Sequence, residues 1–142
     1  MNDVQSHNFF GHPAVLILDD EPDHATIVQW LIAEVAPDIP VETMTQADAL
    51  ARRLAAAPDG ALLLIDRMLN GRESLELLPE LRAARPDLTV VLISAALSET
   101  DRARALAAGA DMAFEKPGQL GGWRALLGQL LRPRGDSWSA AA

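Results

Sequence analysis

The amino-acid sequence predicts an α/β fold in which helices cover both faces of a five-stranded parallel sheet. Apolar runs of four to seven residues alternate with longer stretches of helical periodicity, and each pair forms a βα unit of about 20–25 residues. Three of the runs are nearly continuous in Val, Leu and Ile, which is typical of strands buried on both faces. Five consecutive units of this kind fold most simply as a parallel sheet.

The predicted elements alternate along the chain. The predicted strands are residues 14–18, 40–44, 61–65, 88–94 and 111–115. The predicted helices are residues 23–36, 46–57, 74–84, 99–108 and 120–131. Pro22 falls at a helix start, where proline is favoured, and Pro37, Pro86 and Gly109 fall where helices should end.

Helical spacing also predicts which side chains are buried. The apolar face of the first helix is predicted to contain Ile27, Trp30, Leu31 and Val35. We therefore expect Trp30 to be a core residue, and the same holds for Trp123 in the apolar stripe of the last helix. That stripe has to offset the glycines of the last helix, each of which costs about 1 kcal/mol relative to alanine in a helix interior.

Length and composition restrict the function classes. The chain has 142 residues, 49% of them hydrophobic, and its 12 basic and 20 acidic side chains leave a net charge of −8. This is the size of a single domain, and the acidity argues against direct binding of nucleic acid or an anionic membrane. A metal cation or a basic protein surface fits the charge better. The absence of cysteine excludes disulfides, thiolate zinc sites and cysteine nucleophiles, and favours a cytoplasmic location.

The two ends of the chain differ from its middle. Residues 1–13 are mostly polar, with Phe9 and Phe10 as their longest apolar run, and we expect a flexible arm without a secretory signal. Residues 132–142 contain Pro, Gly and Ser, and we expect a disordered tail in which Trp138 is a possible partner anchor. Residues 14–131 form the predicted domain, with no membrane segment and no visible output domain.

Polar residues follow four of the five predicted strands. Asp19 and Asp20 follow the first strand, and Asp66 follows the third. Ser94 closes the fourth strand, and Lys116 follows the fifth. Because ligands of open parallel sheets bind beyond the carboxyl ends of the strands, we expect these five side chains at one site.

The residue types at this edge indicate phosphoryl-transfer chemistry. Three neighbouring carboxylates repel each other, and a divalent cation is the simplest compensation. Oxygen ligands favour Mg²⁺, with Mn²⁺ as the alternative, over zinc. Lys116 is the single lysine beside 11 arginines, which suggests that a compact ammonium is required there. A lysine, a hydroxyl and a cation together suit a phosphoryl group, with one carboxylate as the nucleophile.

Four segments resemble, in order, the receiver domain of bacterial two-component response regulators. They are residues 15–22 (Val-Leu-Ile-Leu-Asp-Asp-Glu-Pro), 64–66 (Leu-Ile-Asp), 92–95 (Leu-Ile-Ser-Ala) and 115–117 (Glu-Lys-Pro). The resemblance covers residues 14–131 and implies the (βα)5, flavodoxin-like receiver fold. It also implies that Asp66 is the phosphoacceptor, that Asp20 binds Mg²⁺ directly and Asp19 through water, and that Met68 lends the ion its backbone carbonyl.

The same resemblance assigns the remaining positions. Ser94 corresponds to the switch hydroxyl that turns toward the phosphoryl group, beside the Ala95 N–H. Lys116 corresponds to the lysine that pairs with the phosphorylated carboxylate, and the following peptide bond, here to Pro117, is usually cis in this family.

The sequence also departs from the family pattern. The aromatic residue that the family commonly carries three positions before the lysine is Ala113 here. Phe114 follows it, but successive strand residues point to opposite faces, so Phe114 is no simple substitute and the usual aromatic coupling is in question. Asn70 and Ser74 stand where the family often has proline and glycine, and Asn70-Gly71 predicts a turn of different chemistry.

Each site residue also has a structural interpretation. Asp20, together with the glutamate and proline that follow, is typical of a helix start, and Asp66 is typical of a capping residue after a strand. Ser94 is a common strand-closing residue, and Lys116 would be an ordinary surface charge. The three histidines lie on no shared element, and we expect them to be exposed. They are His7, His12 and His24.

Three classes of function remain. The first is a stand-alone phospho-receiver that takes a phosphoryl group on Asp66 from a sensor histidine kinase or phosphotransfer protein. It would signal to an unknown downstream protein through its fourth helix, fifth strand and fifth helix, as a monomer or weak homodimer. The alternative is a receiver-like adaptor that acts without phosphorylation. A flavodoxin or a phosphatase of the haloacid dehalogenase type is disfavoured, because residues 19–22 lack the phosphate loop of the first and the usual residue pattern of the second.

Overall fold

Five parallel strands form the central sheet, in the spatial order β2-β1-β3-β4-β5. The strands are β1 (Val15–Leu18), β2 (Val41–Met44), β3 (Leu62–Asp66), β4 (Thr89–Ser94) and β5 (Met112–Glu115). The structure is a computed structural model that describes residues 12–47 and 50–131. All five predicted strands are confirmed, with boundaries that move by one residue. Residues 1–11, residues 48 and 49 and the predicted tail with Trp138 lie outside the described residues.

In residues 12–47 and 50–131, five α-helices connect and follow the strands. They are α1 (Pro22–Val35), α2 (Leu50–Ala56), α3 (Leu78–Ala84), α4 (Glu99–Ala108) and α5 (Leu120–Leu130). The third predicted helix is divided, because residues Ser74–Leu77 form a 3₁₀ turn and Pro79 occupies the first turn of α3, where its missing N–H is tolerated. Within the described residues, no helix has the length and apolar character needed to cross a membrane.

The sheet separates two apolar layers. Val15 and Ile17 of β1 face α1 and α5, whereas Leu16 and Leu18 face α2, α3 and α4. This alternation follows from the period of two residues in a strand. Burial on both faces explains why β1, β3 and β4 are nearly continuous in aliphatic residues, as the sequence predicts.

The buried face of α1 differs from the prediction. Ala25, Val28 and Ile32 pack against the sheet, whereas Trp30 is 68% exposed. The prediction that Trp30 belongs to the core is therefore wrong, while Trp123 of α5, 6% exposed, is a core residue as predicted. Helical spacing allows two apolar stripes on α1, and the stripe that contains Ala25, Val28 and Ile32 is the one that packs against the sheet.

Candidate functional site

The carboxyl ends of β1, β3, β4 and β5 lie at one edge of the sheet and bring the predicted site residues into one region. Oxygen atoms of Asp19, Asp20 and Asp66 all lie within 4.8 Å of one another. Asp19 is buried, and the other two carboxylates are partly exposed. Three acidic oxygens at this separation form an oxygen-only ligand set of the kind that Mg²⁺ prefers.

Lys116 provides the positive charge of the site. Its Nζ donates to Asp66 Oδ2 at 3.1 Å and lies 4.0 Å from Asp19 Oδ2. The Lys116 N–H donates to the Ser94 carbonyl at 2.7 Å. This bond continues the pairing of β4 and β5 past the last residue of β5 and fixes the backbone position from which the Lys116 side chain extends. The peptide bond between Lys116 and Pro117 is trans, in contrast to the cis bond that the resemblance implies.

The environment shifts the pKa values of two of the carboxyl groups in opposite directions. Burial raises the pKa of Asp66 above its ordinary value, and the negative charges of Asp19 and Asp20 add to this, although the Lys116 ammonium lowers it. Burial also raises the pKa of Asp19, but hydrogen bonds from His24 and the Glu21 N–H, helped by Lys116, outweigh burial, and the pKa lies below its ordinary value. Burial and the neighbouring carboxylates therefore disfavour the charged form of Asp66, and positive charge beside it favours that form.

His24 belongs to this site, contrary to the prediction that it is exposed. Its side chain is only 23% exposed, and its Nδ1 forms a hydrogen bond with Asp19 Oδ2. The edge of the ring contacts Trp123, with 5.3 Å between ring centroids and 63° between ring planes. Because α1 starts just after the end of β1, its first turn lies beside that strand end. The position of His24 in this turn is the feature of the sequence that indicates a place for it at the site.

A short hairpin closes one side of the site. Its strands are Met68–Leu69 and Arg72–Glu73, and the turn residues Asn70 and Gly71 have φ angles of 53° and 81°. Two consecutive positive φ angles are typical of a two-residue hairpin turn, which confirms the turn predicted for this pair. The Asn70 N–H donates to Asp20 Oδ2 at 2.8 Å, so the turn holds one of the three carboxylates.

Met68 lies in the same hairpin. Met68 is paired with Glu73 in the antiparallel ladder. On one side of this pair lies the Leu69–Arg72 pair, and on the other side the Ser74 N–H donates to the Arg67 carbonyl. Because hydrogen-bonded and non-hydrogen-bonded pairs alternate in an antiparallel ladder, the Met68 carbonyl is not used by the ladder.

Ser94, Ala113 and Phe114 occupy the predicted switch region. The buried Ser94 hydroxyl donates to the Ala96 carbonyl at 2.8 Å, which directs it into its own loop. Ala113 packs in the layer with α2, α3 and α4, and Phe114 packs in the layer with α1 and α5. Ala113 and Phe114 thus face opposite sides of the sheet, as the strand period predicts.

Arg67 connects the hairpin to a distant helix, and no motif in the sequence marks it as a site residue. Its Nε and Nη2 donate to the Glu73 carboxylate at 3.1–3.2 Å, and its Nη1 lies 3.0 Å from Asp101 Oδ2. Asp101 and Ser98 form the capping box at the start of α4. Arg67, the residue after Asp66, therefore joins the hairpin to α4. This role is visible only from its contact with Asp101, which lies 34 positions further along the chain.

The fold and the site together define a doubly wound α/β protein with an acidic, lysine-containing site at the carboxyl edge of its sheet. The chain belongs to the response regulator receiver domain family, whose family model matches residues 15–127. Members of this family are signalling phosphoacceptor domains of two-component systems rather than classical enzymes.

Individual relatives agree with this assignment. The chain is 31% identical over 81 residues to the DNA-binding transcriptional regulator NtrC of Rhizobium meliloti (strain 1021), a match that covers 57% of this chain but 16% of NtrC. The signal receiver domain of a DNA-binding response regulator from Colwellia psychrerythraea 34H superposes with a TM-score of 0.71 at 20% identity, covering 82% of this chain and 96% of that one. A response regulator from Burkholderia pseudomallei, solved with a phosphorylated aspartic acid, a calcium ion and citrate, gives 0.66 at 22% identity, covering 90% and 69%. At these identities the structures show a common fold.

Proposed function

We propose that this chain is a phospho-receiver of a bacterial two-component system or phosphorelay, with Asp66 as its phosphoacceptor. The observation that carries this proposal is the position of Asp66 at the end of a central strand, where oxygens of two further carboxylates lie within 4.8 Å and the Lys116 ammonium lies 3.1 Å away. Its donor is the phosphohistidine of a sensor histidine kinase or of a phosphotransfer protein. The fold and the family support this proposal, and the site residues add the chemistry.

The residues of the site fit a divalent cation. Asp20 and Asp66 would bind Mg²⁺, or Mn²⁺, directly, together with the Met68 carbonyl that the hairpin ladder leaves unused, and Asp19 would bind it through water. A bound cation supplies positive charge to the phosphoryl oxygens. The absence of nitrogen and sulfur among these ligands disfavours zinc.

The transfer itself needs an ionised, correctly placed Asp66. One carboxylate oxygen attacks the phosphorus of the phosphohistidine, a P–O bond forms as the P–N bond breaks, and the imidazole leaves with the electron pair and takes up a proton. Lys116, already 3.1 Å from Asp66 Oδ2, opposes the burial that raises the pKa of Asp66 and then pairs with the phosphorylated group. Ser94 would exchange its bond to the Ala96 carbonyl for one to a phosphoryl oxygen, beside the Ala95 N–H.

The signal would reach the surface of α4, β5 and α5 and from there an unknown downstream protein. Because Ala113 replaces the usual aromatic residue, the contacts of α4 are the available route. Arg102 of α4 donates to the Ala113 carbonyl, and Asp101 pairs with Arg67 beside the phosphoacceptor. We propose a cytoplasmic protein that acts as a monomer or weak homodimer, with no direct contact to nucleic acid or membrane.

The test is phosphorylation with acetyl phosphate and Mg²⁺, followed by mass spectrometry of the intact protein. We expect one added phosphoryl group on the wild-type protein and on Asp38→Asn, which changes an exposed carboxylate outside the site. Asp66→Asn should remain unmodified, and chelation of Mg²⁺ should abolish the reaction. An unmodified wild-type protein, or an Asp66→Asn variant that is modified equally, refutes the proposal.

The second candidate is the adaptor that acts without phosphorylation. It is favoured by Ala113, which removes the aromatic partner of the switch, and by the Ser94 hydroxyl, which is bonded within its own loop. A pull-down with and without beryllofluoride separates the two candidates. Partners that bind equally in both conditions, and equally to Asp66→Asn, favour the adaptor.

A further inference from the structure

We propose that His24 is a positioning residue that holds the Asp19 carboxylate in the orientation the cation requires and so sets the cation affinity of the site. The inference rests on the proposed function and assigns a role to a residue outside the four strand-end motifs. Its basis is the set of contacts that His24 makes with Asp19 on one side and with Trp123 on the other.

Both oxygens of Asp19 are held by protein donors. The Glu21 N–H donates to Oδ1 at 3.0 Å, and His24 Nδ1 forms the hydrogen bond to Oδ2. Two donors on two different oxygens fix the rotation of the carboxylate about its terminal bond, which is otherwise broad. Removal of His24 would leave this buried group, among the described residues, with the Glu21 N–H as its hydrogen-bond donor, since Lys116 Nζ lies 4.0 Å from Oδ2.

The proton in this contact can be assigned from chemistry. An ionised carboxylate has no hydrogen to donate, so Nδ1 of His24 carries the proton and Asp19 accepts it. This holds for the neutral ring with its proton on Nδ1 and for the charged ring alike. The positioning role therefore does not depend on a change in the charge of His24.

The ring of His24 is itself fixed by its surroundings. It lies in the first turn of α1, two residues after Pro22, whose ring fixes the backbone at the helix start. Its edge contacts the indole of Trp123, a buried residue of α5. The Asp19 carboxylate is thus oriented by β1, α1 and α5 together, a supporting arrangement of the kind that tunes metal sites.

The same contact also affects Lys116. Asp19 Oδ2, which receives the bond from His24, is the oxygen that lies 4.0 Å from Lys116 Nζ, whereas Asp66 Oδ2 lies 3.1 Å from it. Because His24 holds Asp19 Oδ2 in place, the Lys116 ammonium pairs with Asp66, the proposed phosphoacceptor. A freed Asp19 would compete for that ammonium.

A matched pair of substitutions separates the donor from the ring. His24→Phe keeps a ring against Trp123 but has no donor, and His24→Asn keeps an N–H near the position of Nδ1 but has no ring. Mn²⁺ binding is measured by electron paramagnetic resonance of the unbound ion, with competition by Mg²⁺, on the full chain. We expect His24→Phe to weaken Mn²⁺ binding about tenfold and His24→Asn to restore most of it.

The outcomes distinguish this inference from the proposed function. Wild-type Mn²⁺ affinity in His24→Phe, or tighter binding, overturns the positioning role alone, and so does a His24→Asn variant as weak as His24→Phe. A wild-type protein that binds Mn²⁺ no better than Asp20→Asn overturns the proposed function as well. Folding is checked by the nuclear magnetic resonance signal of the Trp123 indole N–H, and if His24→Phe does not fold, His24→Leu supplies the variant without a donor.

Discussion

Gly122 lies in the first turn of α5 against Pro117, the residue that follows Lys116. A Cβ atom added at Gly122 would lie 2.8 Å from Pro117 Cβ and 3.7 Å from its Cγ. The first distance is about 0.6 Å shorter than the 3.4 Å at which ordinary contact begins. Since Pro117 is rigid, Gly122→Ala must move α5 or the segment that carries Lys116.

The size of the effect follows from two opposing contributions. Alanine in place of glycine stabilises a helix interior by about 1 kcal/mol. Overpacking against a neighbour costs about 1–3 kcal/mol. Gly128 of α5 has nothing within 4 Å of its added Cβ, so Gly128→Ala should show the helix contribution alone. Gly122→Ala should therefore be about 1–3 kcal/mol less stable than Gly128→Ala.

This difference is measurable by thermal unfolding followed by circular dichroism. At about 3 °C per kcal/mol for a chain of this size, Gly122→Ala should melt about 3–9 °C below Gly128→Ala. A displaced Pro117 also moves Lys116 relative to Asp66, so the rate of phosphorylation by acetyl phosphate should fall in Gly122→Ala and remain unchanged in Gly128→Ala. Equal melting temperatures and equal rates in the two variants would show that Pro117 does not restrict the side chain at position 122.

Three further predictions concern stability. Asp87 accepts hydrogen bonds from Arg85 and from a backbone N–H, and these bonds hold the pKa of Asp87 below its ordinary value. The stability that Asp87 contributes is therefore present above the ordinary pKa and is lost as the pH falls below it. Between about pH 6 and pH 3, the free energy of unfolding in urea should fall more for the wild type than for Asp87→Asn. In a double-mutant cycle with Arg67→Gln and Asp101→Asn, urea unfolding should show a favourable coupling energy between the two side chains, and additive effects would contradict the bridge to α4. Asn70 has a positive φ of 53°, so Asn70→Ala should destabilise the protein by about 1 kcal/mol while Asn70→Gly should not, and calorimetric melting of the two variants compares them directly.

The sheet and its acidic edge could be predicted because they depend on short-range patterns. A continuous aliphatic run identifies a buried strand without knowledge of its neighbours, and all parallel strands end at the same edge. It follows that Asp66 and Lys116, 50 positions apart in the chain, meet at one site. The Asn70-Gly71 turn is predictable for the same reason, since its geometry depends only on the backbone freedom of two residues.

The parts that could not be predicted depend on packing between distant segments. Helical spacing in α1 permits two apolar stripes, and only the fit against the sheet and α5 decides that Trp30 is exposed and Ala25 buried. The same orientation of α1 turns His24 toward Asp19 and Trp123. The periodicity of a single sequence does not show which distant side chains such a residue contacts.

Patterns within the sequence predict the order of the elements, the residues at the strand ends and the class of chemistry that those residues suggest. The side chains that support them emerge from packing between distant segments: His24 on Asp19, Arg67 on α4, and Gly122 against Pro117. The difference arises because strand and helix periodicity is encoded within a few residues. The neighbours of a functional group, by contrast, are set by the rotation and close approach of whole elements across the core.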